Sequence, residues 1–124
     1  MDDIEKTHRP RGPREEEILH RLLSVPFPGR EELLAQLPQT WVSGTCACGC
    51  PSVALTVNRP QVGRAPVRRR IPIEGRTRDS DGTPVEVLLH VRDGYLSELE
   101  IYRVDSKPPG LPVPDSIELW SLEP

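Results

Sequence analysis

Aromatic residues are scarce in this chain of 124 residues, which holds two Trp, two Tyr and one Phe. Lysine is rare as well, since only Lys6 and Lys107 occur and the other basic residues are arginines. The formal net charge is -3, so the chain as a whole does not attract nucleic acid or an anionic membrane. The arginines at positions 68–70 have no aromatic neighbours for base stacking. The sequence therefore argues against nucleic-acid binding.

Long apolar runs and complete catalytic motifs are also missing. No stretch approaches the length that crosses a bilayer, and the opening MDDIEKTHRPRGPREEE has no apolar segment of signal-peptide length. The patterns GxGxxG, GxSxG, HExxH and the P-loop do not occur. We therefore expect a cytoplasmic protein with no membrane association, no cofactor and no enzymatic activity.

Proline is abundant instead, with 15 residues against 9 glycines, and it predicts many rigid connections. The chain is long enough to bury one core without disulfides or a structural metal. Residues 1–12 are polar and charged and offer only Ile4 for burial, so we expect a mobile tail there. Residues 13–124 are then a single domain.

The apolar pattern of this domain changes from helical to alternating spacing near Trp41. Pro13 and the acidic residues after it predict the start of a helix with one apolar face, and residues 30–37 predict a second, shorter helix. Alternating segments then predict strands at residues 41–46, 52–57, 67–73 and 85–102, with a short strand or docked tail at 116–122. The expected fold is α+β, with two N-terminal helices packed on a four- or five-stranded, mainly antiparallel sheet.

Residues 85–102 predict a hairpin whose two faces differ in character. A three-residue loop of Arg92, Asp93 and Gly94 places valines and leucines on a core face. In that register Glu86 lies opposite Glu100 on the other face, and Arg68 and Arg70 are the expected counter-charges, because like charges opposite each other are unfavourable. The acidic face would carry Glu86, His90, Glu98, Glu100 and Tyr102.

This acidic face leads to the first functional hypothesis, a non-catalytic binding protein that takes a basic protein partner. A pair of glutamates could also act as general acid and base with His90, but a flat sheet face in a small domain rarely supplies the cleft that catalysis needs. The segment Asp79-Ser80-Asp81-Gly82 is similar to the start of a calcium loop, yet its glycine stands at the fourth position instead of the sixth. We expect a turn there.

Cys46, Cys48 and Cys50 form the second candidate site. Alternate residues of an extended chain share a face, so the three thiols could converge on Zn²⁺ or Cu⁺. The spacing supplies no fourth local ligand for a closed zinc site, and free cysteine is among the most buried residue types. We therefore expect small buried residues at a tight turn and no metal. A metal- or redox-responsive protein that uses this turn is the alternative function.

Three stretches resemble a group of short, uncharacterised bacterial proteins of unknown function. They are the acidic helix with paired leucines at residues 15–23, the CGCPS segment at 48–52, and the hairpin at 85–102. The resemblance implies an α+β fold and, for some proteins of this architecture, a role as immunity partners of bacterial toxins. It implies no particular chemistry.

Overall fold

A computed structural model describes residues 4–106, 108 and 110–123. Within these residues the helices are α1 (Pro13–Leu22) and α2 (Arg30–Gln36), and three short 3-10 helices cover Leu37–Gln39, Arg59–Gln61 and Pro114–Ser116. The strands are β1 (Ile4–Arg9), β2 (Thr40–Cys46), β3 (Val53–Val57), β4 (Ile73–Arg78), β5 (Pro84–Arg92), β6 (Tyr95–Tyr102) and β7 (Glu118–Ser121). No helix in the described part of the chain has the length and apolar character to span a membrane.

The strands form one sheet in the order β1-β2-β3-β6-β5-β4-β7. Every neighbouring pair is antiparallel. The α+β class and the antiparallel sheet are thus confirmed, but the sheet has seven strands and not four or five. The helices are not all N-terminal either, because β1 precedes α1 and short 3-10 helices occur further along the chain.

Strand β1 lies within the stretch for which the sequence predicts a mobile tail, whose residues 1–3 fall outside the described part of the chain. Its backbone pairs with the edge of β2, with Ile4 beside Cys46 and Lys6 beside Gly44. Backbone pairing needs no apolar side chains, so a polar sequence concealed this strand. Gly44 makes room for it, since a Cβ there would lie 2.5 Å from Cγ2 of Ile4.

Helix α1 begins at Pro13, and Glu15 in its first turn accepts a hydrogen bond from the backbone that precedes the helix. The N–H of Gly12 donates to Oε1 of Glu15 at 2.7 Å, and Arg9 makes a two-pronged ion pair with the same carboxylate. Burial alone would raise the pKa of Glu15, but the hydrogen bonds from Arg9 and from the N–H of Gly12 lower it overall. Glu15 therefore joins β1 to the helix start.

The core lies between the helices and one face of the sheet. Leu and Ile side chains of α1 and α2 pack against alternate residues of β5 and β6, as the predicted helical faces require. The most deeply buried members are Ile18, Leu19, Leu22, Leu33, Val42, Ile73, Val87, Leu89 and Leu99. The opposite side of the sheet, which we call the outer face, carries the half-buried residues Glu86, Leu88, Glu98 and Glu100.

The β5–β6 hairpin has a two-residue turn, and the predicted three-residue loop is wrong. Asp93 and Gly94 both have positive φ, at 55° and 83°, which suits a tight hairpin turn. Arg92 then pairs with Tyr95, and the register shifts once between His90 and Val91. This bulge restores the apolar pairs Leu89 with Leu99 and Val87 with Ile101.

The bulge also changes which outer-face residues are neighbours. Glu86 pairs with Tyr102 and Leu88 pairs with Glu100, so the predicted opposition of Glu86 and Glu100 is wrong. His90 pairs with Glu98. Glu86, Glu98, Glu100 and His90 all stay on the predicted face of the hairpin. The bulge shifts the register by one residue and so cancels the change of face that the shorter turn alone would cause.

The predicted strand at residues 67–73 is wrong up to Pro72, because β4 begins at Ile73. The preceding loop is held by other groups: Glu123 accepts hydrogen bonds from the backbone N–H of Arg68 and Arg69, and the carbonyl of Arg70 accepts from Val91. Strand β7 pairs with β4 and confirms the short strand near the end of the chain.

Candidate functional site

A cleft of about 500 Å³ lies beside the outer face, where β3 meets β6. One wall is the cysteine turn, by which we mean residues 46–50 between β2 and β3, and the other is the segment that follows β6. Glu98, Glu100 and Tyr102 of β6 line the cleft together with Ile4 of β1. The two candidate sites of the sequence, the acidic face and the three cysteines, thus share one cleft.

Two carboxylates and one imidazole gather on the outer face. Oxygen atoms of Glu98 and Glu100 and a ring nitrogen of His90 lie within 4.8 Å of one another. His90 is 8% exposed, and its Nε2 lies 2.7 Å from Oε1 of Glu100. Its Nδ1 lies 3.1 Å from Nε of Arg70. His90 is therefore a buried link between an arginine and a glutamate.

The partners of His90 fix its tautomer. A guanidinium group can only donate, so Nδ1 of His90 accepts from Arg70 and the ring hydrogen lies on Nε2, where it donates to Glu100. The ring is neutral in this arrangement, and Glu100 keeps its negative charge. The hydrogen bond from His90 lowers the pKa of Glu100, although burial acts in the opposite direction.

This tautomer leaves His90 without a lone pair for chemistry in the cleft. Nε2 carries the hydrogen bonded to Glu100, while the lone pair of Nδ1 is engaged by Arg70. A general base or a metal ligand would need one of these lone pairs free. The geometry favours a structural role for His90 over a catalytic one.

Glu86 lies apart from the cleft. Its carboxylate accepts from Nε of Arg76 at 2.6 Å, across the β4–β5 pair. Glu86 thus pairs with Arg76 and not with Arg68 or Arg70, the predicted counter-charges. Arg70 instead contacts His90 and helps to lower the pKa of Glu100, so it is a counter-charge of the other glutamate in the predicted pair. Of the predicted binding residues, the cleft brings together Glu98, Glu100 and Tyr102, whereas Glu86 and His90 are not among its lining residues.

Arg103 forms the far wall of the cleft and binds three aspartates. Its guanidinium donates to Asp79 at 2.6 Å, to Asp81 at 2.7 Å and to Asp105 at 2.6 Å. The N–H of Thr83, and then Arg103, lower the pKa of Asp81 to about 2. The segment from Asp79 to Gly82 is a turn, as predicted, with Gly82 at φ 86°. Asp79 and Asp81 of this turn fix the position of the Arg103 guanidinium.

The three cysteines converge at the other wall. Gly49, at φ 88°, curls the chain so that its N–H donates to the carbonyl of Cys46 at 3.0 Å. Sγ of Cys46 lies 2.7 Å from Sγ of Cys48, and the N–H of Cys50 donates to the latter sulfur at 3.3 Å. All three sulfur atoms are within 4.8 Å of one another.

These cysteines are not the buried residues that the sequence suggests. Cys48 is exposed, and Cys46 and Cys50 are half-buried. The hydrogen bond with Cys48 raises the pKa of the Cys46 thiol to about 11. The Cys46 thiol is therefore protonated at neutral pH, and the cluster to which it belongs is accessible to solvent.

Sequence reasoning missed the residues that shape the cleft around its acidic floor. Ile4 falls in the stretch predicted as a tail, and nothing in the sequence links Arg103 to Asp79 and Asp81, which lie 24 and 22 residues away. The sequence predicts only a strand start at Ser52, yet its hydroxyl accepts from the N–H of Ile101 at 2.8 Å and lies 3.3 Å from the carbonyl oxygen of the same residue. A serine beside a strand end was the only available sign of that contact.

Comparison with known proteins identifies a family without a described activity. No curated protein and no solved structure matches the chain. A family model described as a domain of unknown function (DUF6984) matches residues 8–109, which include both helices, strands β2–β6 and both walls of the cleft. The chain therefore belongs to the DUF6984 family.

Proposed function

We propose that this protein is a non-catalytic binding protein that holds a basic, partly apolar segment of a partner protein in the cleft. The observation that carries the proposal is the pair of carboxylates, Glu98 and Glu100, in a cleft of about 500 Å³ that is also lined by the exposed side chains of Ile4, Tyr102 and Val104. A neutral His90 donates to Glu100 without cancelling its charge. The floor of the cleft is therefore anionic.

The geometry of the floor suits an arginine of the partner. Oxygen atoms of Glu98 and Glu100 lie within 4.8 Å of each other. A guanidinium has five N–H donors in a planar fork and can bridge two carboxylates at such a separation. The chain's own Arg103 donates to the three aspartates at the far wall.

The rim of the cleft supports an apolar contribution to binding. Ile4 is 53% exposed, Tyr102 is 46% exposed and Val104 is 77% exposed. Exposed aromatic and aliphatic residues beside a charged pair can exclude water from it once a partner is bound, as the contacts around a binding hot spot do. A basic toxin held in this way would make the chain an immunity-type inhibitor, in line with the resemblance described above.

The test compares two charge reversals of equal size. Glu98→Lys with Glu100→Lys changes the cleft floor, while Glu17→Lys with Glu32→Lys changes exposed residues of the helices. Each variant and the wild type are used as bait in lysate of the source cells, and captured proteins are quantified by mass spectrometry. The partner should be lost from the cleft variant only.

Association kinetics of the captured protein then decide the proposal. The wild-type association rate should fall on the order of 10-fold or more between low and high salt, and the cleft variant should lose this dependence. Melting temperatures show whether each variant folds, and Glu98→Gln with Glu100→Gln replaces the reversal if it does not. Equal capture and equal rates for both folded variants would overturn the proposal.

A further inference from the structure

The cysteine turn has a geometry that small buried residues do not require. Its three sulfur atoms lie within 4.8 Å of one another, although they come from alternate positions in the chain. None of the three side chains is buried: Cys48 is exposed, and Cys46 and Cys50 are half-buried. Packing therefore does not account for the choice of cysteine at these positions.

We propose that Cys46, Cys48 and Cys50 together bind one Cu(I) ion. Thiolate sulfur is a soft ligand that selects soft cations, chiefly Cu(I) and Zn(II). A closed zinc site needs four protein ligands, whereas monovalent copper is satisfied by two or three thiolates. Three converging sulfurs in the wall of the cleft fit the smaller coordination number. This site goes beyond the proposed binding function and does not depend on it.

His90 does not complete a zinc site here. It groups with Glu98 and Glu100, and its two nitrogens are engaged by Arg70 and Glu100. The turn itself holds Ala47 and Gly49 between the cysteines, which offer no ligating side chain. The ligand set of the turn is therefore three sulfur atoms, which favours Cu(I) over Zn(II).

Binding exchanges protons for the metal. Each thiol that coordinates loses its hydrogen to solvent, so up to three protons leave as one Cu⁺ enters, and no electron is transferred because the ion arrives as Cu(I). Because a thiol must lose its proton to coordinate the metal, the apparent affinity should weaken as the pH falls.

The experiment titrates Cu(I), under nitrogen, into the reduced chain of 124 residues in competition with bicinchoninate. One equivalent per chain should be retained, with ultraviolet thiolate-to-copper charge-transfer absorption. Cys48→Ser should weaken retention on the order of 100-fold or more, since a ligand is lost. Circular dichroism confirms that each variant is folded, which the exposed position of Cys48 favours.

A matched control keeps three thiols but moves one of them. Cys48→Ser combined with Ala47→Cys shifts the thiol by one residue along the exposed turn. If this variant retains copper as well as the wild type, the chain merely offers thiols and the site is refuted. One zinc ion per chain that resists a zinc chelator and is lost in Cys48→Ser would also overturn the assignment, because it would require a fourth ligand.

The two proposals fail separately. Glu98→Gln with Glu100→Gln leaves all three cysteines in place, so it should abolish salt-dependent partner association while copper is retained. Cys48→Ser should weaken copper retention and leave salt-dependent partner association unchanged. Loss of copper in the glutamine variant to the extent seen in Cys48→Ser would refute a site made of three sulfurs alone.

Discussion

On the outer face, the charged side chains of Glu98 and Glu100 are half-buried, so their hydrogen-bond partners matter. Glu100 receives the hydrogen of a neutral His90, which is itself held by Arg70. The sequence predicts the correct face of the sheet for His90, Glu98 and Glu100. Arg70 was among the expected counter-charges and does reach this face, through Nδ1 of His90. Its route was not predictable, because it comes from a loop that is bound by Glu123 near the other end of the chain and not from a paired strand.

The His90 contact makes the stability of the protein depend on pH. The pKa of Glu100 is lowered on folding, so the unfolded chain takes up its proton first as the pH falls. The stabilisation is present above the ordinary carboxyl pKa and is lost as the pH falls through the lower, folded value. Glu100→Gln should therefore cost about 1 kcal/mol of unfolding free energy at about pH 7 and much less at about pH 3.

Urea denaturation at the two pH values measures this difference. Glu32→Gln, on an exposed position of α2, controls for the change in net charge. A cost of Glu100→Gln that is the same at both pH values would contradict a role for the ionised carboxylate.

At the scale of elements, helices and hairpins were predictable where local patterns decide them. Both helices begin at the predicted residues, Pro13 and Arg30. The register of β5 and β6 was not predictable from alternation, because a tight turn followed by a bulge has the same pattern of faces as a longer loop without one. Strand β1 was missed because backbone pairing at an edge leaves little trace in side chains.

The tight turn of the β5–β6 hairpin leads to a prediction with a close control. Gly94 has φ 83°, and a Cβ there would lie 2.7 Å from Cβ of Arg64 and 2.8 Å from the carbonyl oxygen of Ala65. Gly82 has φ 86° but open space around it. Gly82→Ala should cost about 1 kcal/mol from backbone strain alone, and Gly94→Ala about 2 to 4 kcal/mol, because a clash is added.

Thermal or urea unfolding of the two alanine variants measures these costs. Equal losses would mean that the loop at Arg64 and Ala65 moves aside freely. In that case the hydrogen bond from Ala65 to the carbonyl of Gly94 would contribute little to holding the turn.

At the scale of the whole molecule, the sheet has two parts, β1-β2-β3 and β6-β5-β4-β7. They meet where β3 pairs with β6. The described pairs at this seam are Val53 with Leu99 and Ala54 with Glu98. Ser52 extends the seam by one further residue, because its hydroxyl takes the place of a backbone partner for Ile101. No local pattern predicts which hairpins become neighbours, so this order of strands was beyond sequence reasoning.

Ser52→Ala should weaken the seam. The variant should lose about 1 kcal/mol of unfolding free energy, and the amide of Ile101 should exchange its hydrogen faster. Ser43→Ala is the control, since Ser43 bonds Thr56 between β2 and β3, within one part of the sheet. Hydrogen exchange read by NMR separates the two variants. Unchanged protection of Ile101 would show that the seam does not depend on the hydroxyl.

The cleft extends across this seam, with the cysteine turn on one part of the sheet and β6 on the other. Antiparallel strands twist relative to each other, and a short ladder resists torsion less than a long one. An occupant that touches both walls therefore acts as a brace, because it fixes the angle between the two parts of the sheet. Strands β1 and β7 lie at opposite edges of the sheet. Binding at the centre would then reduce their movement relative to each other about the line between β3 and β6.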